Sequence, residues 1–244
     1  MAKSKIEWTE MTWNPTTGCT KVSAGCKNCY AEDFALRLYS MGNKKYENRF
    51  NLTLHPDTLG TPRHWKASRI VFVNSMSDLF HEDIPLDYIK KVFKVMNETP
   101  KHIYQVLTKR AERLEELSNE LCWSNNIWMG VSVEDEKSKN RIKHLKRIKA
   151  KIKFLSLEPL LSALPNLSLN KIDWVIVGGE SGKRARPINK EWVIDIKNQC
   201  EKANVKFFFK QWGGMKKKAN GRELNGKYYN EMPEPKFTTE NLFS

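Results

Sequence analysis

The sequence predicts an α/β fold, a partial (β/α) barrel of about six to seven parallel strand–helix units. Short β-branched or aromatic runs recur along the chain, and stretches with helical spacing of apolar residues separate them. This alternation favours a parallel sheet, and so many units in succession are typical of a barrel. Because Gly and Pro are scattered rather than gathered in a linker, we expect residues 1–237 to form one domain instead of two small ones.

The first predicted strand covers Met11 to Thr17 and is followed directly by a cysteine-rich loop. The later strands are Arg69–Val73, His102–Leu107, Ile127–Val133, Ile152–Ser156, Trp174–Val177 and Val205–Phe209. Helical spacing is clearest from Leu86 to Asn97 and from Lys190 to Ala203, where apolar residues recur every three or four positions.

The chain is strongly basic, since Lys and Arg outnumber Asp and Glu by 42 to 28 and give a formal net charge of +14. Such a charge concentrates nucleic acid or another polyanion. A solvated, lysine-rich surface without a ligand is the alternative. The basic residues considered for DNA or RNA are Lys143, Lys146, Arg147, Lys149, Lys151, Lys153 and the run Lys216–Lys218.

No run of about 18 uncharged apolar residues occurs, and the first ten residues do not form a basic-then-apolar leader. We therefore expect a soluble, cytoplasmic protein that binds no membrane. Five cysteines, three of them between residues 19 and 29, do not suit the disulfide framework of a secreted protein. The segment from Thr238 to Ser244 looks like the remnant of a protease-cleavable tag, and we expect no function for it.

Polar residues follow the predicted strands at the points where strands end and loops begin. The clusters are Asn74, Ser75, Ser77 and Asp78; Thr108, Lys109 and Arg110; Ser132, Glu134 and Asp135; Ser156 and Glu158; Gly178, Gly179 and Glu180; and Lys210, Gln211 and Trp212. In barrels of this kind the carboxyl ends of the strands carry the chemistry, so these clusters predict one shared site. The alternative is that polar residues simply begin loops, as they commonly do.

The strongest chemical signal is the spacing Cys19-x6-Cys26-x2-Cys29, in which Gly18 and Gly25 each directly precede a cysteine. Glycine lets the backbone fold tightly while three thiolates converge on a metal. A cubane iron–sulfur cluster held by three thiolates leaves one iron open to a small molecule.

Two alternatives remain for these cysteines. A closed zinc site needs four ligands, so Cys122, Cys200 or a distant histidine would have to supply the fourth; the nearest histidine in sequence is His55. Otherwise the three cysteines are unliganded core residues, which their glycine-rich, polar surroundings do not favour.

These residues resemble the radical S-adenosylmethionine enzymes, whose hallmark is three cysteines in a loop after the first strand of a partial barrel. The usual spacing there is C-x3-C-x2-C; this chain has six residues in the first gap but keeps the second gap and the C-x-x-C-Y ending. More closely, the chain is similar to the phage-associated three-cysteine-motif branch near the spore photoproduct lyases. The matching segments, within residues 13–214, are WNPTTGCTKVSAGCKNCYAE, NSMSDLFHEDIP, VLTKRAERL, GVSVEDEKSKNRI, FLSLEPLL, WVIVGGESG and FFFKQWGG.

The resemblance implies a [4Fe-4S] cluster on Cys19, Cys26 and Cys29 whose open iron binds S-adenosylmethionine. An electron from a flavodoxin- or ferredoxin-like donor would cleave that cofactor to a 5′-deoxyadenosyl radical, which would abstract a hydrogen from the substrate. Together with the basic charge, the resemblance favours modification or repair of a DNA or RNA base in the cytoplasm of a bacterial or phage-infected cell.

The cofactor-binding candidates divide by the part of S-adenosylmethionine that each would contact. Asn74, Ser75, Ser77 and Asp78 would face its amino group, Lys109 or Arg110 its carboxylate, Ser132 or Glu134 its ribose, and Gly178, Gly179 and Glu180 another part of the ligand. Glu158 is the candidate catalytic carboxylate, with a purely structural role as the alternative. Tyr30 and Trp212 would stack on a ligand or pack in the core.

Two other functions remain open. The runner-up is a non-catalytic nucleic-acid-binding protein that uses the cluster or zinc only as a structural staple, and the third option is a radical enzyme that acts on a small molecule. Cleavage of S-adenosylmethionine would distinguish a radical enzyme from the non-catalytic protein. Tight, salt-dependent nucleic-acid binding would distinguish a radical enzyme that acts on DNA or RNA from one that acts on a small molecule.

Overall fold

The computed structural model describes Ser4, residues 6–215 and residues 217–236, with the backbone alone for Lys217 and Lys218. Lys216 and the predicted tag remnant from Thr238 to Ser244 lie outside the described residues. Within these bounds, no helix is long and apolar enough to cross a membrane.

Seven parallel strands form a curled half-barrel sheet with helices between them, which confirms the predicted α/β partial barrel. The strands of this sheet are β1 (Met11–Trp13), β4 (Ile70–Val73), β5 (Ile103–Thr108), β6 (Ile127–Ser132), β7 (Ile152–Leu157), β8 (Trp174–Gly178) and β9 (Lys206–Gln211). A separate pair is formed by β2 (Thr16–Thr17) and β3 (Thr53–Leu54). The helices are α1 (Tyr30–Ser40), α2 (Leu86–Glu98), α3 (Ala111–Leu117), α4 (Arg141–Arg147), α5 (Lys190–Ala203) and α6 (Lys217–Asn220). The sheet order is β1-β4-β5-β6-β7-β8-β9.

The first predicted strand is shorter in the structure than the sequence suggested. β1 ends at Trp13, and β2 leaves the main sheet to pair antiparallel with β3. Pro15 lies between them, and a proline has no amide hydrogen with which to continue the ladder of a strand. The chain therefore changes direction shortly before the cysteines.

The convex face of the sheet packs against the helices in one large core. Alternate strand residues such as Val71, Val106 and Leu155 point to this side and meet α2 residues such as Ile89 and Val92. Because both faces of a parallel sheet are covered, its strands are apolar runs without polar alternation. That is why they were recognisable in the sequence.

The concave face carries a second, aromatic core. It comprises Trp8, Ile70, Phe72, Ile103, Trp128, Phe154, Trp174, Ile176 and Phe208. The Trp8 ring packs edge-on to Phe72, with 4.7 Å between ring centroids, and lies 6.2 Å from Trp174. These side chains plug the half-barrel toward the amino ends of its strands, so space for a ligand remains only toward the carboxyl ends.

Gly130 lies within this packing, and a Cβ atom there would overlap the ring of Phe154. We expect Gly130→Ala to lower the free energy of unfolding by about 1–3 kcal/mol, because overpacking a filled core forces neighbouring side chains from their rotamers. Denaturant unfolding measures the change. Gly60→Ala is the matched control, since its Cβ would meet only the Arg63 guanidinium at 3.5 Å; equal losses in both variants would contradict the packing argument.

Candidate functional site

The cysteine loop begins where β2 ends and leads directly into α1 at Tyr30. Its first turn is fixed by backbone bonds, since the Gly18 amide donates to the Met76 carbonyl at 3.0 Å and the Cys19 amide to Phe50 at 3.2 Å. Gly18 has a φ of +82°, and a Cβ there would overlap the carbonyl of Asn51. Only glycine fits this position, and it places Cys19 at the carboxyl edge of the sheet.

Glu134 holds the middle of the loop. This carboxylate is fully buried; one oxygen accepts hydrogen bonds from the Ser23 hydroxyl and, at 3.3 Å, the Gly25 amide, and the other accepts from Arg141 at 2.7 Å. Burial disfavours its charged form, but Lys109, Arg141 and the Ser23 hydrogen bond outweigh burial and lower the pKa of Glu134 below its ordinary value. The loop is thus tied to the end of β6 by a charged anchor.

A second anchor joins the loop to the end of β8. The Asn28 side-chain amide donates to Glu180 at 3.0 Å and to the Arg184 carbonyl at 2.8 Å. Glu180 is itself fixed by Arg186, whose guanidinium donates to it at 2.6 and 2.9 Å. Asn28 lies between Cys26 and Cys29, so this contact orients the C-x-x-C turn.

Arg110 anchors the loop at Cys19. Its guanidinium donates to the Cys19 sulfur at 3.4 Å, to Asp78 at 3.2 Å, to Glu82 at 2.5 Å and to the Thr20 hydroxyl at 2.8 Å. Asp78 is equally occupied: it also accepts from the Thr108 hydroxyl at 2.7 Å and from two backbone amides at 3.0 Å. Both side chains, predicted to contact a cofactor, are committed to protein partners in this structure.

The three loop cysteines are half-buried free thiols. Burial and the neighbouring charge of Asp78 raise the pKa of the Cys19 thiol to about 11, against the opposing effect of Arg110. Burial likewise raises the pKa of Cys29, and the Cys26 thiol adds to the shift at both neighbours. Without metal, Cys19 and Cys29 are therefore protonated near neutral pH, and a bound metal would have to displace those protons.

The loop offers three thiol ligands, one fewer than a closed zinc site requires. Among the described residues, no three His, Cys, Asp or Glu side chains are gathered to hold one metal ion. Cys200 is buried in α5, and Cys122 is exposed before the amino end of β6, so neither completes a site with the loop.

Several predicted site residues lie on the concave face above the aromatic plug. Side chains alternate along a strand, so Ser132, Ser156 and Gly178 lie two positions beyond the inward-facing Gly130, Phe154 and Ile176. Lys109, Glu134, Glu158 and Glu180 each follow the end of a strand by one or two residues. The structure thus brings together residues from the ends of β5, β6, β7 and β8.

The polar residues after β4 have a different place. The Asn74 and Thr16 side chains bond each other, the Ser77 hydroxyl donates to the Gly18 carbonyl at 2.7 Å, and the Ser75 hydroxyl donates to Asn14 at 3.2 Å. These three predicted cofactor contacts brace the segment that leads into the cysteine loop.

One protein family matches almost the whole chain. The profile of a family described as protein of unknown function (DUF5131) matches residues 3–233. The chain belongs to DUF5131. None of the curated proteins compared with it matches.

Among solved structures, the DUF5131 chain is similar to spore photoproduct lyase. A single-site mutant of that enzyme gives a TM-score of 0.48 at 12% identity, covering 82% of this chain and 63% of the lyase. A double mutant with bound AdoMet and dinucleoside spore photoproduct gives 0.43 at 10% identity, covering 78% and 61%. The chain spans less than two thirds of the length of these lyase chains.

Sequence reasoning did not assign roles to several residues that the DUF5131 structure places at the site. Lys210 donates to both Glu158 oxygens, at 2.7 and 2.9 Å, and Gly178 leaves room for that carboxyl group. The available signal was the position of Lys210, two residues beyond the inward-facing Phe208. Ser23 and Asn28 had no signal beyond their place in the loop, because their partners are more than 100 residues away.

The two aromatic residues left open by the sequence have different surroundings. Trp212 packs on Phe209, with ring centroids 4.7 Å apart, and its indole donates to the Glu223 carbonyl, so it belongs to the core. Tyr30 has an exposed ring, while its hydroxyl donates to the Ser75 carbonyl at 2.6 Å. Burial of that hydroxyl, together with the charges of Cys29 and Glu158, raises the pKa of Tyr30.

A cavity of about 480 Å³ borders the cysteine loop of the DUF5131 chain. It lies between loop residues 22–24, the turn from β5 into α3, and the segment 135–144. Lys109 and Lys137 line it, and neither ammonium group has a hydrogen bond or ion pair within the part of the chain that the structure describes. The cavity therefore presents two uncommitted cations beside loop residues 22–24.

Proposed function

We propose that this chain is a radical S-adenosylmethionine enzyme in which Cys19, Cys26 and Cys29 hold a [4Fe-4S] cluster. The observation that carries the proposal is a set of three free thiols in one anchored loop at the carboxyl edge of a parallel half-barrel. Three thiolates leave one iron of a cubane open to a small molecule. The sequence resemblance points to the same chemistry.

When bound and reduced, the cluster would supply the electron that cleaves S-adenosylmethionine to a 5′-deoxyadenosyl radical. The protein's own residues have other tasks. Glu134 and Glu180 fix the loop that presents the thiols, and Arg110 places a positive charge beside Cys19. The aromatic plug keeps water from entering through the amino end of the half-barrel. Water that reached the radical at the carboxyl end would quench it.

Lys109 is the better of the two candidates for the carboxylate of S-adenosylmethionine. Arg110 already pairs with Asp78 and Glu82, whereas the Lys109 ammonium has no ion pair among the described residues. The charge of Lys109 acts on both Cys29 and Glu134, which places it between the cysteine loop and the end of β6. Ser132, Ser156 and Gly178 line the same face and would meet the remainder of the cofactor.

We expect Lys109→Met to raise the S-adenosylmethionine concentration for half-maximal cleavage about tenfold or more, because hydrogen bonds to charged groups contribute ~1.5–3 kcal/mol. Methionine keeps most of the side-chain volume and removes the charge. Lys137→Met is the matched control, since Lys137 lines the same cavity but is not among the charges that act on Cys29 or Glu134. An equal effect of both changes would mean that only the net charge of the cavity matters.

The function is tested by purifying the full chain without oxygen and reconstituting it with iron and sulfide. The protein is then reduced, mixed with S-adenosylmethionine and assayed for 5′-deoxyadenosine. Formation of that product in the reduced sample, but not in an unreduced one, is the expected result. A protein that takes up only zinc, or a cluster that never cleaves the cofactor, would leave the non-catalytic metal-stapled protein as the better description.

A further inference from the structure

Helix α1 and its cap residue Met41 carry a stripe of exposed apolar side chains that belong to none of the three buried clusters of the described residues. Tyr30, Phe34 and Met41 are 55%, 46% and 68% exposed, although the helix buries Ala31 and Ala35 on its other side. At 100° per residue, positions 30, 34, 37 and 41 fall on one face. That face therefore also includes Arg37, and we call these four residues the aromatic–basic stripe.

The stripe leads away from the candidate site. Tyr30 directly follows Cys29, and its hydroxyl is fixed on the Ser75 carbonyl. From residue 30 to residue 41 the stripe is about 16 Å long, at roughly 1.5 Å per residue. A ligand lying along it would extend from the cysteine loop over two to three turns of helix.

The charge around the stripe is positive. The two acidic residues of α1 are paired, Glu32 with Lys21 at 2.8 Å and Asp33 with Arg184 at 3.7 Å. Arg37 and Lys27 are exposed, and their side chains have no ion pair within the described ranges. Unpaired cations beside exposed aromatic rings match a ligand that carries both negative charge and flat apolar faces.

The basic run that the sequence suggested for nucleic acid lies elsewhere. Lys149 and Lys151 precede β7, at the amino end of the sheet, and Arg147 pairs with Glu115 at 3.1 Å. Lys146 donates to the Ser168 hydroxyl at 2.5 Å. These residues are at the opposite end of the sheet from the cysteines, whereas the stripe begins beside them.

We propose that the aromatic–basic stripe binds single-stranded nucleic acid, with bases stacked on Tyr30 and Phe34 and phosphates paired with Arg37 and Lys27. Exposed rings interleaved with cations suit an unpaired strand, because its base faces are open to stacking and its phosphates are anionic. A duplex hides its base faces within its own stack. This inference rests on the proposed function and names its substrate class, since the stripe delivers the strand to the cysteine loop.

Fluorescence anisotropy of a labelled oligonucleotide of about 12 nucleotides tests this binding. It is measured on the full chain before iron and sulfide are added, so the result does not depend on radical chemistry. We expect Phe34→Ala to weaken binding about tenfold, since stacking contributes ~1–3 kcal/mol per base. Arg37→Ala should reduce the slope of log affinity against log salt by about 0.7, as expected for one lost phosphate contact on a single strand.

Tyr39→Ala is the matched control, because Tyr39 is 41% exposed on the opposite side of the same helix. It should leave binding unchanged. Equal losses in Phe34→Ala and Tyr39→Ala, or wild-type protein that prefers duplex to single strand, would overturn the proposal. So would a dimer in size-exclusion chromatography that Phe34→Ala dissociates, since the stripe would then bind a second copy of the chain.

The two proposals fail separately. Phe34→Ala should still form 5′-deoxyadenosine from S-adenosylmethionine at the wild-type rate when no oligonucleotide is present. Loss of oligonucleotide binding with retained cofactor cleavage would assign the stripe to the substrate. Absence of cleavage in the wild type with intact, stripe-dependent binding would overturn the radical chemistry and keep the nucleic-acid surface.

Discussion

Changing Cys19, Cys26 and Cys29 together to alanine is expected to remove bound iron and reduce 5′-deoxyadenosine formation to background. Reconstituted wild-type protein should hold about four iron atoms per chain, as a cubane cluster requires. The expected loss is complete because the concave face offers no other thiol: Cys200 is buried in the helix layer and Cys122 is exposed before β6. Iron and sulfide analysis and product chromatography measure both effects.

Cys122→Ala is the control for that experiment. It removes one exposed thiol and should leave iron content and product formation unchanged. Iron retained by the triple variant, or lost in Cys122→Ala, would show that the loop is not the binding site. Circular dichroism of each metal-free protein checks that the half-barrel is still folded.

Glu134→Ala is expected to lower the free energy of unfolding by about 3–5 kcal/mol, the usual cost of removing one partner from a buried ion pair. The change leaves the Arg141 guanidinium without its carboxylate partner and releases Ser23 and Gly25 of the cysteine loop. Glu136→Ala is the matched control, because Glu136 is exposed and its pair with Lys139 should contribute less than about 1 kcal/mol. Similar unfolding midpoints for the two variants would contradict a structural role for Glu134.

The same anchor predicts a pH dependence. The pKa of Glu134 is lowered in the folded protein, so its contribution to stability is present above the ordinary pKa of glutamate and is lost as the pH falls below it. The free energy of unfolding of the wild type should therefore decrease on acidification into that range, and the decrease should be smaller in Glu134→Gln. Parallel pH profiles for the two proteins would show that Glu134 does not carry the effect.

The fold was predictable because the strands of a covered parallel sheet are continuous apolar runs. The break after Trp13 was less visible, although Pro15 was its cause. A single proline in a short run can mark either an edge strand or the end of one.

The sequence indicated which polar residues follow the carboxyl ends of the strands, but not which of them already have partners. Strand ends indicated which residues share the carboxyl edge, and the structure places Lys109, Ser132, Glu134, Glu158, Gly178 and Glu180 there. Which of the polar groups are already satisfied depends on partners distant in the chain, as with Arg110 and Cys19, 91 residues apart. The exposure of the apolar residues on α1 could not be predicted for a related reason. In the sequence they resemble core residues, and only the packing of the helix shows that they face solvent.

The aromatic plug limits how a polymer can reach the thiols. Trp8 closes the half-barrel from one side of its base, and the side-chain amide of Gln105 bonds to the Trp8 carbonyl. Because the base of the half-barrel is filled, a nucleic-acid strand cannot pass through it from end to end. A single-stranded substrate of the kind proposed would therefore have to approach the ends of β6 and β7 from the carboxyl edge of the sheet.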